Sequence, residues 1–387
     1  MARRPLARRL VRTGCACVTL AFLIAGCTQA SSSGTSVTGS TLTIYLSVPP
    51  GTGTPEEHDV VSAEQLAFQQ SGGKVGKFTL RLRRFQGAKF SDNARKAIVD
   101  STTIAYLGEI PPGASADTIG ITNAQDVLQV SPTDTALELT QSSSAIPNSP
   151  QRYYESLSTN GRTFARLVPT TGLEAAAVLS QMQALGVKQV YVTGDGSEYG
   201  RALRAAFLRR ARTAVKVASS AAIAGAVFYA GSSAGEAARI FDGAVSGNPK
   251  ADLFAPSALA DNAFAASLSA AAQRNLYVST PGFTPGTAPD PGFASAFRAA
   301  YGHAPATEAV FGYAAMQAVI HALQRAGSSA SNRKTVVQDF FAIHNFGTAA
   351  GAISIDKNGD VSFGGTPPFV FSRVKGRQLV PVKPAHG

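Results

Sequence analysis

Two spacings of apolar residues alternate along the chain. In "TLTIYLSV" (41–48) and "KFTLRLRRF" (77–85) they follow the two-residue period of a strand, with Phe78, Leu80 and Leu82 on one face. Between these stretches, His58 to Gln70 carries Val61, Leu66 and Ala67 at helical spacing. "SDNARKAIVDS" predicts a helix with Ser91 as its cap, and "TIAYLG" (103–108) and "DVLQVSP" (126–132) predict short strands around another helix. "TGLEAAAVLSQMQALG" opens with Thr171-x-x-Glu174, a capping box, and stops at Gly186. The strands "KQVYVTG", "GAVFYAG" and "ADLFAPS" are each followed by a helix, the first from about Tyr199. Residues 291–344 predict three helical pieces, and "GAISIDKNGDVSF" (351–363) opens a strand-rich end.

Repeated strand–helix units predict an α/β fold with mostly parallel sheets and helices on both faces. The units are too many for one compact sheet, so two lobes are expected. Ligands of such sheets sit beyond the carboxyl ends of the strands. Five of those ends are rich in Gly, Ser and Thr: 108–115, 131–135, 194–199, 231–233 and 256–257. Together they predict a shared polar cleft.

The front of the chain departs from this pattern. Arg3, Arg4, Arg8, Arg9 and Arg12 precede an uncharged run, from about Thr13 to Gly26, too short to span a bilayer. A basic start, a short apolar run and small residues read as a secretory signal over 1–26. Ile24-Ala25-Gly26-Cys27 resembles a bacterial lipobox, in which the thiol is acylated; lipid on Cys27 would hold the mature protein at a membrane. Residues 27–40, rich in Ser, Thr and Gly, predict a flexible spacer. All three cysteines lie in this front segment, so stability must come from core burial rather than disulfides. The net charge is +11, and removing 1–26, with five arginines and no acid, leaves +6. That excess is spread along the chain, with no basic stripe for nucleic acid.

Catalytic chemistry is thin. "GSSAG" (231–235) matches G-x-S-x-G between a predicted strand and helix, which makes Ser233 a candidate nucleophile. His303, His321 and His344 lie downstream with Asp252 and Asp261, but His321 and His344 sit at packing positions. No metal constellation, P-loop or dinucleotide fingerprint is present, and no cofactor is expected. "DKNGD" (356–360) reads as a turn.

Four stretches carry a family resemblance: "SPTDTALELT" (131–140), "VKQVYVTGDGSEYGRAL" (187–203), "FASAFRAAYGHAPATEAVFGYAAMQAVIHAL" (293–323) and "GAISIDKNGDV" (351–361). In this order behind a lipobox, the chain from about Thr41 to Val382 resembles the substrate-binding lipoproteins of ABC transporters, of the branched-chain amino acid (Leu/Ile/Val) type I periplasmic-binding class. The resemblance implies two Rossmann-like lobes joined by a three-crossover hinge, with crossovers near 166–171, 280–290 and 360–366. One lobe would hold 41–168 plus 285–362, the other 169–284 plus 363–387. It implies a monomer that hands a small-molecule solute to ABC permease subunits. By position, Thr133, Thr135 and the loop Gly113-Ala114-Ser115 would hold a ligand carboxylate, and Tyr199 would cover the ligand from the second lobe.

Three positions depart from the family. Pro112 stands where amino-acid binders tend to have serine and offers neither hydroxyl nor N–H. Ser257 replaces the acid that meets the ligand's ammonium, and Ser232 or Ser233 replaces an aromatic lid residue. The expectation is a solute without a free α-amino group: an amide, a carboxylic acid or another small polar molecule. Two other readings stay open, a ligand sensor or orphan lipoprotein without a transporter, and a serine hydrolase using Ser233.

Overall fold

The computed structural model describes residues 35–283, 288–365 and 368–382. The signal segment, Cys27 and the first part of the spacer lie outside the described residues. A first sheet takes β1 (Thr41–Ser47), β2 (Lys74–Val75), β3 (Phe78–Phe85), β4 (Thr103–Leu107), β5 (Leu128–Ser131) and β6 (Phe164–Arg166), in the order β2-β3-β1-β4-β5-β6. Its strands pair in parallel except β2, a short antiparallel edge. A second sheet starts with β7 (Gln189–Thr193), β8 (Lys216–Val217), β9 (Ala226–Tyr229), β10 (Asp252–Ala255) and β11 (Leu276–Pro281). A small antiparallel sheet of β12 (Phe346–Thr348), β13 (Gly351–Ile355) and β14 (Val361–Phe363) intervenes. The hairpin β15 (Phe369–Lys375) and β16 (Gln378–Val382) then completes the order β16-β15-β11-β10-β9-β7-β8.

The helices are α1 (Pro55–Gln70), α2 (Phe90–Val99), α3 (Ile119–Asn123), α4 (Leu157–Asn160), α5 (Thr171–Ala184), α6 (Glu198–Ala211), α7 (Ala234–Gly247), α8 (Asn262–Ser267), α9 (Ala270–Asn275), α10 (Pro291–Tyr301), α11 (Ala309–Ala326) and α12 (Arg333–Phe341). The chain leaves the first large sheet for the second after β6. It leaves the second after β11 for helices and a small sheet, with α11 packing on the first, and returns to the second after β14. This is the two-lobed α/β fold of type I periplasmic binding proteins.

Local sequence explains the elements. Thr54 caps α1 in a reciprocal box with Glu57, and Pro55 starts the helix with its φ already set. The apolar stripe of α11 (Met316, Val319, Ile320, Leu323) packs with β1, β4 and β5 in the core of the first lobe. Arg166, at the end of β6, is fully buried; its Nε lies 3.0 Å from Asp360 Oδ1, off the ideal hydrogen-bond direction. The same guanidinium donates to Asp134 O (2.6 Å) and Thr140 Oγ1 (3.0 Å). This buried pair ties the first and third crossings together.

One apolar cluster crosses between lobes. Leu137, Leu139, Tyr153 and Tyr154, from the segment joining β5 to β6, pack with Val178 and Met182 of α5 and with Leu203 and Phe207 of α6.

Three sequence expectations need correction. Residues 35–40 are not a free spacer: Val37 is buried in the first-lobe core, its N–H donates to Ser331 O (2.7 Å), and Arg333 N donates to Thr35 O (3.0 Å). A single valine and edge-on backbone pairing suffice to dock a stretch that composition reads as polar. Ser91 does not cap α2, which begins one residue earlier, with Asp92 Oδ2 accepting from Lys89 N (3.0 Å). Glu174 does not close a capping box with Thr171; α5 has Thr170 at its cap, and Glu174 points into the second-lobe interior.

Candidate functional site: an interlobe cavity and its buried acids

The strand-end loops of the first lobe converge, but their donors are already in use. Gly113 takes a left-handed turn (φ 86°) and donates its N–H to Asp134 Oδ1 at 2.6 Å. Ser115 N donates to Asp134 Oδ2 at 2.9 Å, and Ala136 N to Oδ1 at 3.1 Å. Asp134 therefore fills, with its own carboxylate, the cup expected to hold a ligand carboxylate. Burial pushes its carboxyl up, while the Arg166 guanidinium and these N–H donors oppose the rise. Ala114 N–H turns back to Pro111 O, and Thr133 Oγ1 donates to Ile110 O at 2.7 Å. Of the predicted first-lobe hydroxyls, Thr135 Oγ1 is left buried without a partner. The sequence reading took Thr133 and Thr135 for ligand donors; the aspartate between them, unremarked there, organises the loop.

In the second lobe, Tyr199 opens α6 and is almost fully buried. It lies against Gly113, where an added Cβ would stand 3.6 Å from the Tyr199 Cβ. Its hydroxyl has no well-formed hydrogen bond and sits beside Ser257 and Glu174. Ser257 N donates to Glu174 Oε1 (2.6 Å), Ser257 Oγ to Oε2 (3.2 Å), and Ser279 Oγ to Oε1 (2.7 Å). An acid thus stands beside Ser257 after all, but it comes from α5. Its helix-start position made it look like a cap, and nothing in the spacing pointed to Ser257 or Ser279.

Ser232 and Ser233 are exposed and belong to a different construction. Asp195 Oδ2 accepts from Ser232 N (2.6 Å) and Ser233 N (2.9 Å), and its Oδ1 from Ser197 N (3.0 Å). Burial raises the Asp195 carboxyl, but these hydrogen bonds win and hold it below its usual range. Close approach of Ala230 explains two glycines of "GDGSEYG": a Cβ on Gly194 would fall 1.9 Å, and one on Gly200 2.6 Å, from Ala230 O. Ser233 Oγ accepts from Glu236 N as the cap of α7. Elsewhere His58 bonds Thr52 O, His303 faces Asp59 and His321 stacks on Phe346, so these three bases are engaged away from Ser233. A triad needs such a base at the hydroxyl.

The space that can take a ligand lies beside these groups. A cavity of about 450 Å³ is walled by Phe293 and Val310 near α10 and α11, and by Thr280, Ser372 and Leu379 of the second sheet. Two carboxylates, Glu56 and Glu308, line it. Glu56 Oε1 accepts from Asn262 Nδ2 at 2.9 Å, a hydrogen bond between the lobes, while its Oε2 is buried without a partner. Glu308 makes no cap hydrogen bond at the start of α11. Burial, then the like charges of Glu174, Glu56 and Glu57, push its carboxyl up to about 8. Arg298 also lines the cavity but is exposed. Neither glutamate was singled out in the sequence, because each sits at a helix start where acids are ordinary. Among the described residues no group of three or more His, Cys, Asp or Glu is placed to hold a metal ion.

Comparison with known proteins bears on the fold. No family model and no curated protein matches the chain. Solved structures do. The chain is similar to a leucine-binding protein LivK from Thermotoga maritima, with TM-score 0.71, 20% identity, and coverage of 89% of this chain and 98% of that one. It is similar to the branched-chain amino acid transporter substrate-binding protein LivJ from Streptococcus pneumoniae in complex with isoleucine (TM-score 0.66, 16% identity, 89% and 100% covered). It is also similar to an ABC transporter solute-binding protein from R. palustris in complex with benzoate (TM-score 0.65, 18% identity, 89% and 96% covered). The fold extends over almost the whole length of each.

Proposed function

We propose that the protein is an extracytoplasmic solute-binding lipoprotein. Lipid on Cys27 tethers it to the membrane, and it captures a small polar solute between its lobes for delivery to ABC permease subunits. The observation that carries this reading is the cavity of about 450 Å³ built from both lobes, of a size to enclose a small molecule. The similar structures, two of them holding isoleucine and benzoate, support the same use of the fold. We place the lobes at 41–168 plus 285–362 and 169–284 plus 363–387, and solute contacts extend to the hydroxyls of Thr135 and Tyr199, both buried without a well-formed hydrogen bond. Closing the lobes excludes water, so a solute that leaves a buried polar group unmatched is rejected.

The test is thermal unfolding of the purified protein against amines, amides, aliphatic and aromatic carboxylates and amino acids. A true ligand at 100 times its Kd stabilises by roughly 2.7 kcal/mol, a rise of a few degrees. A panel that leaves the midpoint unmoved would count against the proposal.

A further inference from the structure

The interlobe cavity has a chemical bias that the fold alone does not supply. Its polar lining sets the carboxylates Glu56 and Glu308 beside neutral Asn262, Thr280, Thr307 and Ser372. Like charges from Glu174 on α5 and from Glu56 and Glu57 on α1 act on Glu308. Glu56 has one oxygen buried and unpaired, and Asp261 and Asp59 act on it as further like charges. Arg298, the cation lining the space, is exposed and on the outer helix α10. Around these acids stand Phe283, Phe293 and Val310, apolar walls without a donor. Two carboxylates lining one space, with Asn262 Nδ2 donating to Glu56 Oε1 while Glu56 Oε2 stays unpaired, are unfavourable together unless protonated or met by a cation.

Resting on the solute-binding reading above, we propose that the solute is an organic amine bound as its ammonium ion. Glu308 and Glu56 are its counter-charges, and the phenylalanine walls take its apolar part. A carboxylate in the same space would meet two acids, and the cup expected to hold it is filled by Asp134. Because burial keeps the Glu308 carboxyl protonated until about pH 8, entry of an ammonium ion expels a proton from it. Affinity therefore rises as pH goes from 6 to 8, and proton release accompanies binding near pH 7.

The experiment is isothermal titration calorimetry of the purified protein with 2-phenylethylamine, butylamine and putrescine, and with benzoate, benzamide and leucine as comparators. At least one amine is expected to bind, with Glu308→Gln weakening it by roughly tenfold or more. Heats measured in two buffers of different ionisation enthalpy should report the released proton, and Glu308→Gln should abolish it. The variant's thermal midpoint, expected at or above the parent's, separates lost binding from lost folding. Benzoate or benzamide binding that Glu308→Gln leaves unchanged would overturn the amine assignment and leave the solute-binding reading standing. Amine binding indifferent to both Glu308→Gln and pH would overturn it as well. If no member of either set bound, both would fall.

Discussion

Replacing Arg166 by alanine lowers the stability of the folded protein by about 3–5 kcal/mol, the usual cost of stripping one partner from a buried ion pair. The guanidinium is fully buried, and Asp360 opposite it is nearly so. Asp360 would keep hydrogen bonds from Thr140 Oγ1 and Gln141 Nε2, both 2.7 Å, but lose its charge partner. Asp134 O would also lose its donor inside the loop that holds Gly113 and Ser115. Urea unfolding measures the loss. Arg166→Met combined with Asp360→Asn should be more stable than Arg166→Met alone, since no uncompensated charge is then buried. A single variant as stable as the parent would show that the pair does not hold the crossings together.

The second large effect is an acid-shifted stability profile. Burial drives the Glu109 carboxyl up to about 8, beyond what hydrogen bonds from the Ser47 and Tyr106 hydroxyls offset, and drives Glu138 up to about 7. Glu64 is also raised well above its usual range by burial and by Glu109, with neither oxygen hydrogen-bonded. A folded-state pKa above the unfolded one means that the folded state binds more protons in between. Stability from these groups is therefore full below about pH 4.3 and lost as pH rises through about 7 to 8. One such group supplies a swing on the order of 4 kcal/mol. The thermal midpoint should fall between pH 5.5 and 8.5, and Glu109→Gln, which imitates the protonated acid, should flatten the fall. A gain for Glu109→Gln at pH 8.5 with little change at pH 5.5 is the expected signature; equal effects at both would contradict it.

The fold was largely legible because strands and helices differ in apolar period. "KFTLRLRRF" and the three helical pieces of 291–344 could be read directly, and the order of units implied two sheets. What escaped were elements defined by partners rather than by period. The strand β6, three residues long, and β11 have no polar alternation because they are buried. The site was less legible still. A local reading places Glu174, Glu56 and Glu308 at helix starts, where acids are expected for electrostatic reasons. Only tertiary structure brings Glu174 to Ser257 and aims Glu56 and Glu308 into one space. The 131–135 loop reads in sequence as a polar cup, but the sequence could not show that Asp134 turns inward to accept from Gly113 and Ser115. Ser232 and Ser233 were placed with the cleft by their position after a strand; that their N–H groups donate to Asp195 could not be read from the sequence.

The central claim is that a solute binds between the lobes in the cavity beside Glu308. Ala294, on α10, lines that cavity and is exposed, so a large side chain there can fill the space without disturbing a packed core. The most direct measurement is the Kd, by calorimetry, of whichever solute stabilises the protein, for the parent chain and for Ala294→Trp. The account predicts that Ala294→Trp folds with a similar thermal midpoint and loses binding by about a hundredfold or more, as expected when a ligand's space is occupied. An unchanged Kd in the folded variant would contradict it, because the solute would then be held somewhere other than between the lobes.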